Sequence, residues 1–188
     1  MAAAVLLAGA AYAADPSLED DGQDQFEIAW QGPSYHVTYS FMTACPADTL
    51  YAIFLDPLHV RRCMGRANLA ITTLDSAASR NRLSYAYTYV VSKLHLTFDR
   101  RIDSACACVA FSLDSCRVTG SKLIPTVKSS RGHYKLVPEG DSMRVDYWQE
   151  TTLDRDLNRL YIHFIRRDTR RVLRNQERYA RMHEPGAQ

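Results

Sequence analysis

The chain has 188 residues, 46% of them hydrophobic and 23% charged, with a net charge of +2. That balance suits one globular domain with short extensions and excludes a wholly disordered chain. A charge so near zero leaves no electrostatic footprint for nucleic acid, and no nucleic-acid partner is expected.

Met1 to Ala14 is an apolar, uncharged run that ends in Ala11-Tyr12-Ala13. Small residues one and three places before a cut suit a signal peptidase, so residues 1–14 read as a signal peptide and the mature chain as periplasmic or secreted. The run lacks a positive residue before it, and an Ala-rich tail is the alternative reading. It is too short to span a bilayer, which takes about 20 residues. Residues 15–32 form an acidic linker or arm, with six acids and no Lys or Arg from Asp15 to Glu27. Phe26, Ile28 and Trp30 alternate at its end and suit a short strand or a docking arm.

The domain proper is expected over residues 33–183, with 184–188 as a tail. Tyr35 to Phe41 alternates with period two and predicts a strand. Cys45 to Asp56 predicts a short helix: Pro46 is tolerated at its start, and Pro57 forbids helical backbone at Asp56. His59 to Met64 predicts a second short helix, ended by Gly65. From Asn68 to Thr152 the pattern is strand after strand. Leu69, Ile71 and Thr73 alternate, with a turn at Asp75-Ser76. Leu83, Tyr85, Tyr87 and Tyr89 share one face of the next strand. Leu94, Leu96 and Phe98 alternate, then come Cys106 to Leu113, Gly132 to Val137, and Met143 to Glu150, where Met143, Val145, Tyr147 and Gln149 share a parity. The last element has helical period: Leu157, Leu160, Tyr161, Phe164, Ile165, Val172, Gln176 and Tyr179 recur over about six turns. Leu160, Phe164 and Ile165 are expected against the sheet, and Arg166, Arg170 and Arg174 in water. From Thr151 onward there are nine Arg against five acids, which reads as a solvated helix face or as a docking surface for an anionic membrane or an acidic partner.

One amphipathic helix has a single apolar stripe, while six or seven antiparallel strands offer a wide face. The economical arrangement is α+β: a strongly curved sheet of about seven strands with the long helix laid across it. Such a sheet encloses more volume than one helix fills, so the remainder is packed solid or kept as a cavity. Tyrosines on inward faces favour a cavity with polar points, because a buried hydroxyl needs a partner. Tyrosine is also simply a good strand former.

The strand followed by Cys45-Pro46-Ala47-Asp48-Thr49-Leu50-Tyr51-Ala52-Ile53-Phe54-Leu55-Asp56-Pro57 resembles the opening of the START-like superfamily (SRPBCC, helix-grip). That group includes lipid-transfer START domains, the birch-pollen allergen family and polyketide cyclases. Arg131-Gly132-His133-Tyr134-Lys135-Leu136-Val137-Pro138 with Met143-Arg144-Val145-Asp146-Tyr147 is similar to its penultimate hairpin, with Tyr134 where relatives often have Trp. The helix ending Asn175-Gln176-Glu177 is similar to its lid helix. The resemblance runs from Tyr35 to Tyr179 and implies a hydrophobic small-molecule ligand, such as a lipid, sterol or polyketide-like molecule, held under the C-terminal helix. The residues expected to line that site are Tyr85, Tyr87, Tyr89, Tyr134, Tyr147, Tyr161 and Phe164. A cyclase or hydrolase using an acid–base pair in the same cavity is the alternative, and no catalytic residue is assigned.

Other chemistry is weakly signalled. His59 and Cys63 are four apart on a helix, a spacing that suits two metal ligands, but no matching pair accompanies them. No metal or cofactor is expected. Asp99, Arg101 and Asp103 share a strand face opposite in parity to Leu94, Leu96 and Phe98. They are expected to form an outward charge ladder; if inward, Arg101 would orient a ligand carboxylate. His163 is expected in solvent. Of the five cysteines, Cys106 and Cys108 are two apart on an expected strand and should not bond each other; Cys116 can reach one of them, and Cys45 and Cys63 can staple a helix. Buried thiols are the alternative.

Overall fold

The computed structural model describes residues 25–64, 69–89, 92–120 and 124–186. The run from Met1 to Ala14 expected to be a signal peptide, the acidic stretch up to residue 24, and Gly65 lie outside the described residues.

Strands β1 (Glu27–Gln31) and β2 (Ser34–Thr43) open the chain, followed by helices α1 (Ala47–Leu55) and α2 (Pro57–Met64). Six strands follow: β3 (Leu69–Ala77), β4 (Arg80–Thr88), β5 (Ser92–Asp103), β6 (Cys108–Gly120), β7 (Val127–Glu139) and β8 (Ser142–Leu153). Helix α3 (Arg159–Arg181) ends the fold. All eight strands form one antiparallel sheet in the order β1-β2-β8-β7-β6-β5-β4-β3, so the chain closes back on itself by pairing β8 with β2. The sheet has one strand more than expected, because Ile28 and Trp30 pair with Val37 and Tyr35 instead of lying in a free arm.

Local chemistry sets the element ends. Asp56 is held extended by Pro57 behind it, which stops α1 and lets Pro57 begin α2 at a position where its missing N–H costs nothing. Asn158 caps α3 by accepting the Tyr161 N–H at 3.0 Å. Irregularities at Thr73/Asp75, Thr97/Phe98 and Val127/Ser129 each shift the register of a strand pair, which bends and twists the sheet. Asp75 and Ser76 lie within β3, not in a turn, and the chain reverses after Ala77.

The alternation read for the sheet holds. Leu83, Tyr85 and Tyr87, Leu94, Leu96 and Phe98, and Val145 and Tyr147 are buried on the face covered by the helices. Asp99 and Arg101 point the other way, where Arg80 and Arg82 each approach Asp99 at 3.9 Å.

Helix α3 is turned relative to the expected stripe. Its buried residues are Ile165, Asp168, Thr169, Val172, Leu173, Gln176 and Ala180. Leu160 is 60% exposed, because it sits in the first turn, ahead of the first buried position at Ile165. Phe164 is half-buried, with the Arg167 guanidinium 5.3 Å from its ring centre. Arg166 is exposed, whereas Arg170 and Arg174 are half-buried, since three polar residues share the inner stripe and rotate the arginines toward the protein. Arg167 and Arg171 turn onto Asp168 at 3.5 and 3.6 Å, and Arg181 onto Glu177 at 2.6 Å, so part of the helix's positive charge is spent within it.

Cys106 and Cys108 form a disulfide, against expectation. Cys106 precedes β6, and Ala107 adopts φ 49°, so the two side chains do not share a strand face and their Cα atoms come within 5.3 Å. Cys45, Cys63 and Cys116 are free thiols, the first two buried.

Candidate functional site

The inner floor of the sheet is a cross-strand row: Asn81, Arg100, Phe111, Gly132, Gln149, Val37 and Ile28 are successive register partners from β4 to β1. Gly132 is required there. A Cβ at this position would run into the Phe111 ring and the Trp148 carbonyl. The missing side chain lets Phe111 lie flat across the middle of the row.

Arg100 dominates one end. It continues the inward parity of Leu94, Leu96 and Phe98 and is only 1% exposed. Its Nη2 donates to the Phe54 carbonyl, and Asn81 Nδ2 donates to the Leu55 carbonyl. Two carbonyls at the end of α1, which has no basic residue in its last turn, are thus satisfied from the sheet. The Tyr85 hydroxyl is also hydrogen-bonded to the guanidinium, while Nε and Nη1 are buried without hydrogen-bond partners, and among the described residues Arg100 forms no ion pair.

Aromatic rings and a thiol surround it. Phe54 stacks on Tyr134 with centroids 4.3 Å apart, Tyr134 meets Tyr147 at 4.9 Å, and Phe111 contacts both tyrosines. Tyr134 shares hydrogen bonds with Gln176 of α3, donating to Oε1 at 3.2 Å or accepting from Nε2 at 3.0 Å. Burial raises the Tyr85 and Tyr134 phenols above the ordinary range, and the Arg100 charge opposes that rise in both. Burial likewise pushes the Cys63 thiol up to about 12, again opposed by Arg100. One cation therefore faces Tyr85, Tyr134 and Cys63, all held neutral.

Away from Arg100 the floor carries a satisfied polar network. Gln149 Nε2 donates to Ser130 Oγ at 2.9 Å and to Thr151 Oγ1 at 3.0 Å, and Gln149 Oε1 accepts from the Tyr147 hydroxyl. Helix α3 closes the interior. Tyr39 donates to Glu177, Thr43 donates to Glu184 at 2.7 Å, His59 Nδ1 meets the Tyr179 hydroxyl at 2.7 Å, and Asn175 Nδ2 donates to the Cys63 carbonyl at 3.2 Å.

Of the residues expected to line a site, Tyr85, Tyr87, Tyr134 and Tyr147 are buried in this interior. Tyr89 lies just past β4, and Tyr161 and Phe164 lie on the first turns of α3; all three are half-buried at the rim. His163 is exposed. His59 turns to Tyr179 while Cys63 turns inward, so the pair does not converge as metal ligands. Arg101 is exposed, and its neighbour Arg100 holds the inward place. The parity of β5 carried that signal: Arg100 is two residues beyond Phe98. An open groove of about 880 Å³ runs beside Arg100, Arg101, Phe111, Ser112, His133 and Trp148, and none of the expected tyrosines lines it.

No family model matches the chain, and no curated protein matches it. Solved structures do. The Zhui aromatase/cyclase from a Streptomyces species aligns with TM-score 0.60 at 13% identity, over 82% of this chain and 98% of that one. The STAR-related lipid transfer protein from Xanthomonas axonopodis aligns with TM-score 0.59 at 12% identity, over 83% and 98%. Ginseng major latex-like protein 151 from Panax ginseng aligns with TM-score 0.54 at 15% identity, over 82% and 100%. At such identities the likeness is one of fold. The sheet, the paired short helices and the long helix across them are the helix-grip arrangement.

Proposed function

We propose that the protein binds a hydrophobic small molecule between the sheet and α3, with an anionic end on Arg100. The observation that carries this reading is the buried guanidinium whose Nε and Nη1 have no partner. A desolvated charge left unpaired is costly, and a ligand carboxylate or enolate would complete it with a bidentate contact. The rings of Phe54, Phe111 and Tyr134 would remove the ligand's apolar surface from water, worth about 25 cal/mol per Å². Two neighbours of this fold, named a lipid transfer protein and an aromatase/cyclase, support a hydrophobic small molecule as the ligand.

A cyclase-type activity in the same interior is the second reading. It needs a group that exchanges a proton near neutral pH. The tyrosines and the thiol facing Arg100 are all pushed upward, which favours binding over acid–base chemistry. Export to the periplasm or beyond belongs to the same proposal and rests on the run from Met1 to Ala14.

The test is a titration of delipidated full-length protein with tetradecanoate and with its methyl ester. The acid should bind at least tenfold more tightly than the ester, and Arg100→Met should bind both alike. Absence of binding across a lipid panel, with no lipid retained in native mass spectrometry of protein from its own host, would overturn the reading.

A further inference from the structure

The interior has a second polar end that is short of partners. The Thr169 hydroxyl and the indole N–H of Trp30 are buried and make no hydrogen bond, and the buried Tyr35 hydroxyl shares a hydrogen bond with Thr151. Tyr35 is 2% exposed and Thr169 0%. Trp30 and Tyr35 are register partners in the β1–β2 hairpin, with ring centroids 4.5 Å apart. Thr169 reaches the same level because α3 runs alongside β2. Tyr39 bonds Glu177 and Thr43 bonds Glu184, so four strand residues match seven helix residues. Those segments are about 13 Å and about 10.5 Å long, close enough to stay in step. One more such step from Tyr39 and Glu177 sets Tyr35 opposite residue 170, beside Thr169, which faces inward.

The network next door reaches these groups only at Tyr35, through Thr151. Thr151, the register partner of Tyr35, already engages Ser130 at 2.9 Å and Gln149 at 3.0 Å. Burial raises the Tyr35 phenol, with Thr151 offsetting part of the rise, so it stays a neutral donor. The end therefore presents three uncharged donors. Asp168, buried beside Thr169, carries the local negative charge, held by Arg167 and Arg171. A second carboxylate would be repelled here, whereas a hydroxyl or carbonyl oxygen would be accepted.

Four strand spacings separate β5 from β2, about 19 Å along the sheet, shortened by its curvature and by side chains reaching inward from both ends. Phe111, Tyr134 and Tyr147 occupy the space between. We propose that the ligand is two-headed: a carboxylate at Arg100, an apolar middle across Phe111 and Tyr147, and an uncharged oxygen function at Tyr35, Thr169 and Trp30. This rests on the reading of Arg100 as the ligand's anchor.

The experiment titrates delipidated full-length protein with alkanoates from decanoate to hexadecanoate and with their ω-hydroxy counterparts. At the best-fitting length the hydroxy acid should bind about three- to tenfold more tightly, the worth of one net hydrogen bond. Tyr35→Phe and Thr169→Val should each shrink that gain and leave the plain alkanoate's affinity unchanged. Thr169→Val removes a hydroxyl that has no partner, and Tyr35→Phe gives up only the hydrogen bond to Thr151, so both variants should keep the wild-type circular dichroism and melt close to the wild type. Equal affinity for the two series would overturn the two-headed ligand while leaving the Arg100 anchor standing. Failure of both series to bind would overturn the anchor and this inference with it. A gain that survives in both variants would show that the second head lies elsewhere and would overturn the assignment to Tyr35 and Thr169.

Discussion

Asn81 and Arg100 are register partners on β4 and β5, and both turn inward to the same helix end, one on the Leu55 carbonyl and the other on the Phe54 carbonyl. They differ in what is left over: Asn81 leaves a neutral amide oxygen, Oδ1, without a partner, whereas Arg100 keeps two unpaired nitrogens and a full charge. Asn81→Ala should therefore act on stability alone. It orphans the Leu55 carbonyl and should cost about 1–3 kcal/mol in urea unfolding, with ligand affinity unchanged. Arg100→Met loses the bonds to the Phe54 carbonyl and the Tyr85 hydroxyl but also removes a buried charge without an ion pair, so the net change should stay within about 1–2 kcal/mol while carboxylate binding is lost. If Arg100→Met unfolded the protein as severely as Asn81→Ala or worse, Arg100 would be a helix-end anchor and nothing more.

Gly132 separates steric need from backbone freedom. Its φ is not in the left-handed region, and the constraint is the Phe111 ring and Trp148 carbonyl where a Cβ would stand. Gly132→Ala should destabilise by about 2–3 kcal/mol through overpacking. The double variant with Phe111→Leu should recover part of that loss, because the shorter side chain vacates the space. A Gly132→Ala protein as stable as wild type would mean the β7–β8 backbone gives way more easily than the register suggests.

The helix face divides by burial. Ile165→Ala should cost about 2–4 kcal/mol, as for a fully buried aliphatic side chain. Half-buried Phe164 should cost about 1–2 kcal/mol on change to Ala, and exposed Leu160 less than about 0.5 kcal/mol. Thermal unfolding of the three variants would check the order. A reversal between Ile165 and Leu160 would mean that α3 sits rotated from the position described.

These residues show where sequence was legible. Strand parity could be read because aromatic and aliphatic residues alternate with Ser84 and Ala86 in β4, with His95 and Thr97 in β5, and with Arg144 and Asp146 in β8. Arg100 lay on the same parity and was passed over because arginine is read as a surface residue by type. The α3 stripe was misplaced toward Leu160 because hydrophobic spacing ignores polar residues. Asp168 and Thr169 complete the true inner face beside Gln176, which the helical spacing did include, and only tertiary contacts reveal those two. The Cys106–Cys108 bond depended on Ala107 taking a positive φ, for which a non-glycine residue gives no sequence signal. The short strand β1 was legible as alternation, but its place beside β2 followed from the hairpin turn.

Glu184 should make the end of α3 sensitive to acid. The Thr43 hydroxyl and the Ala44 N–H both donate to it and hold its carboxyl below the usual glutamate range. A carboxylate whose folded pKa is depressed contributes stability that is present above its unfolded pKa and lost as pH falls through the folded one. Amide exchange in the last turn of α3, corrected for intrinsic rates, should therefore accelerate as pH drops below about 4.5, near the unfolded glutamate pKa. Glu184→Gln should show no such step. An identical step in that variant would assign the acid sensitivity to another carboxylate.

Cys63 offers a reporter for the interior. It is 2% exposed, it neighbours Arg100 and Tyr134, and its backbone carbonyl accepts from Asn175 of α3. With the thiol pushed up to about 12, the closed protein holds almost no thiolate at pH 8. Alkylation must then proceed through an opened state in which α2 and α3 part and the thiol regains its ordinary pKa of about 8.5. In a Cys45→Ala, Cys116→Ser background, the Cys63 rate should rise with pH and level off near pH 9. A rate still rising tenfold per unit at pH 10 would mean attack on the closed form. Tetradecanoate should slow the reaction in proportion to occupancy, because a ligand on Arg100 binds the closed state and lowers the open population. Arg100→Met should abolish that protection while leaving the unliganded rate nearly unchanged. Protection that persists in Arg100→Met would place the ligand's carboxylate away from this guanidinium, even if binding itself were real.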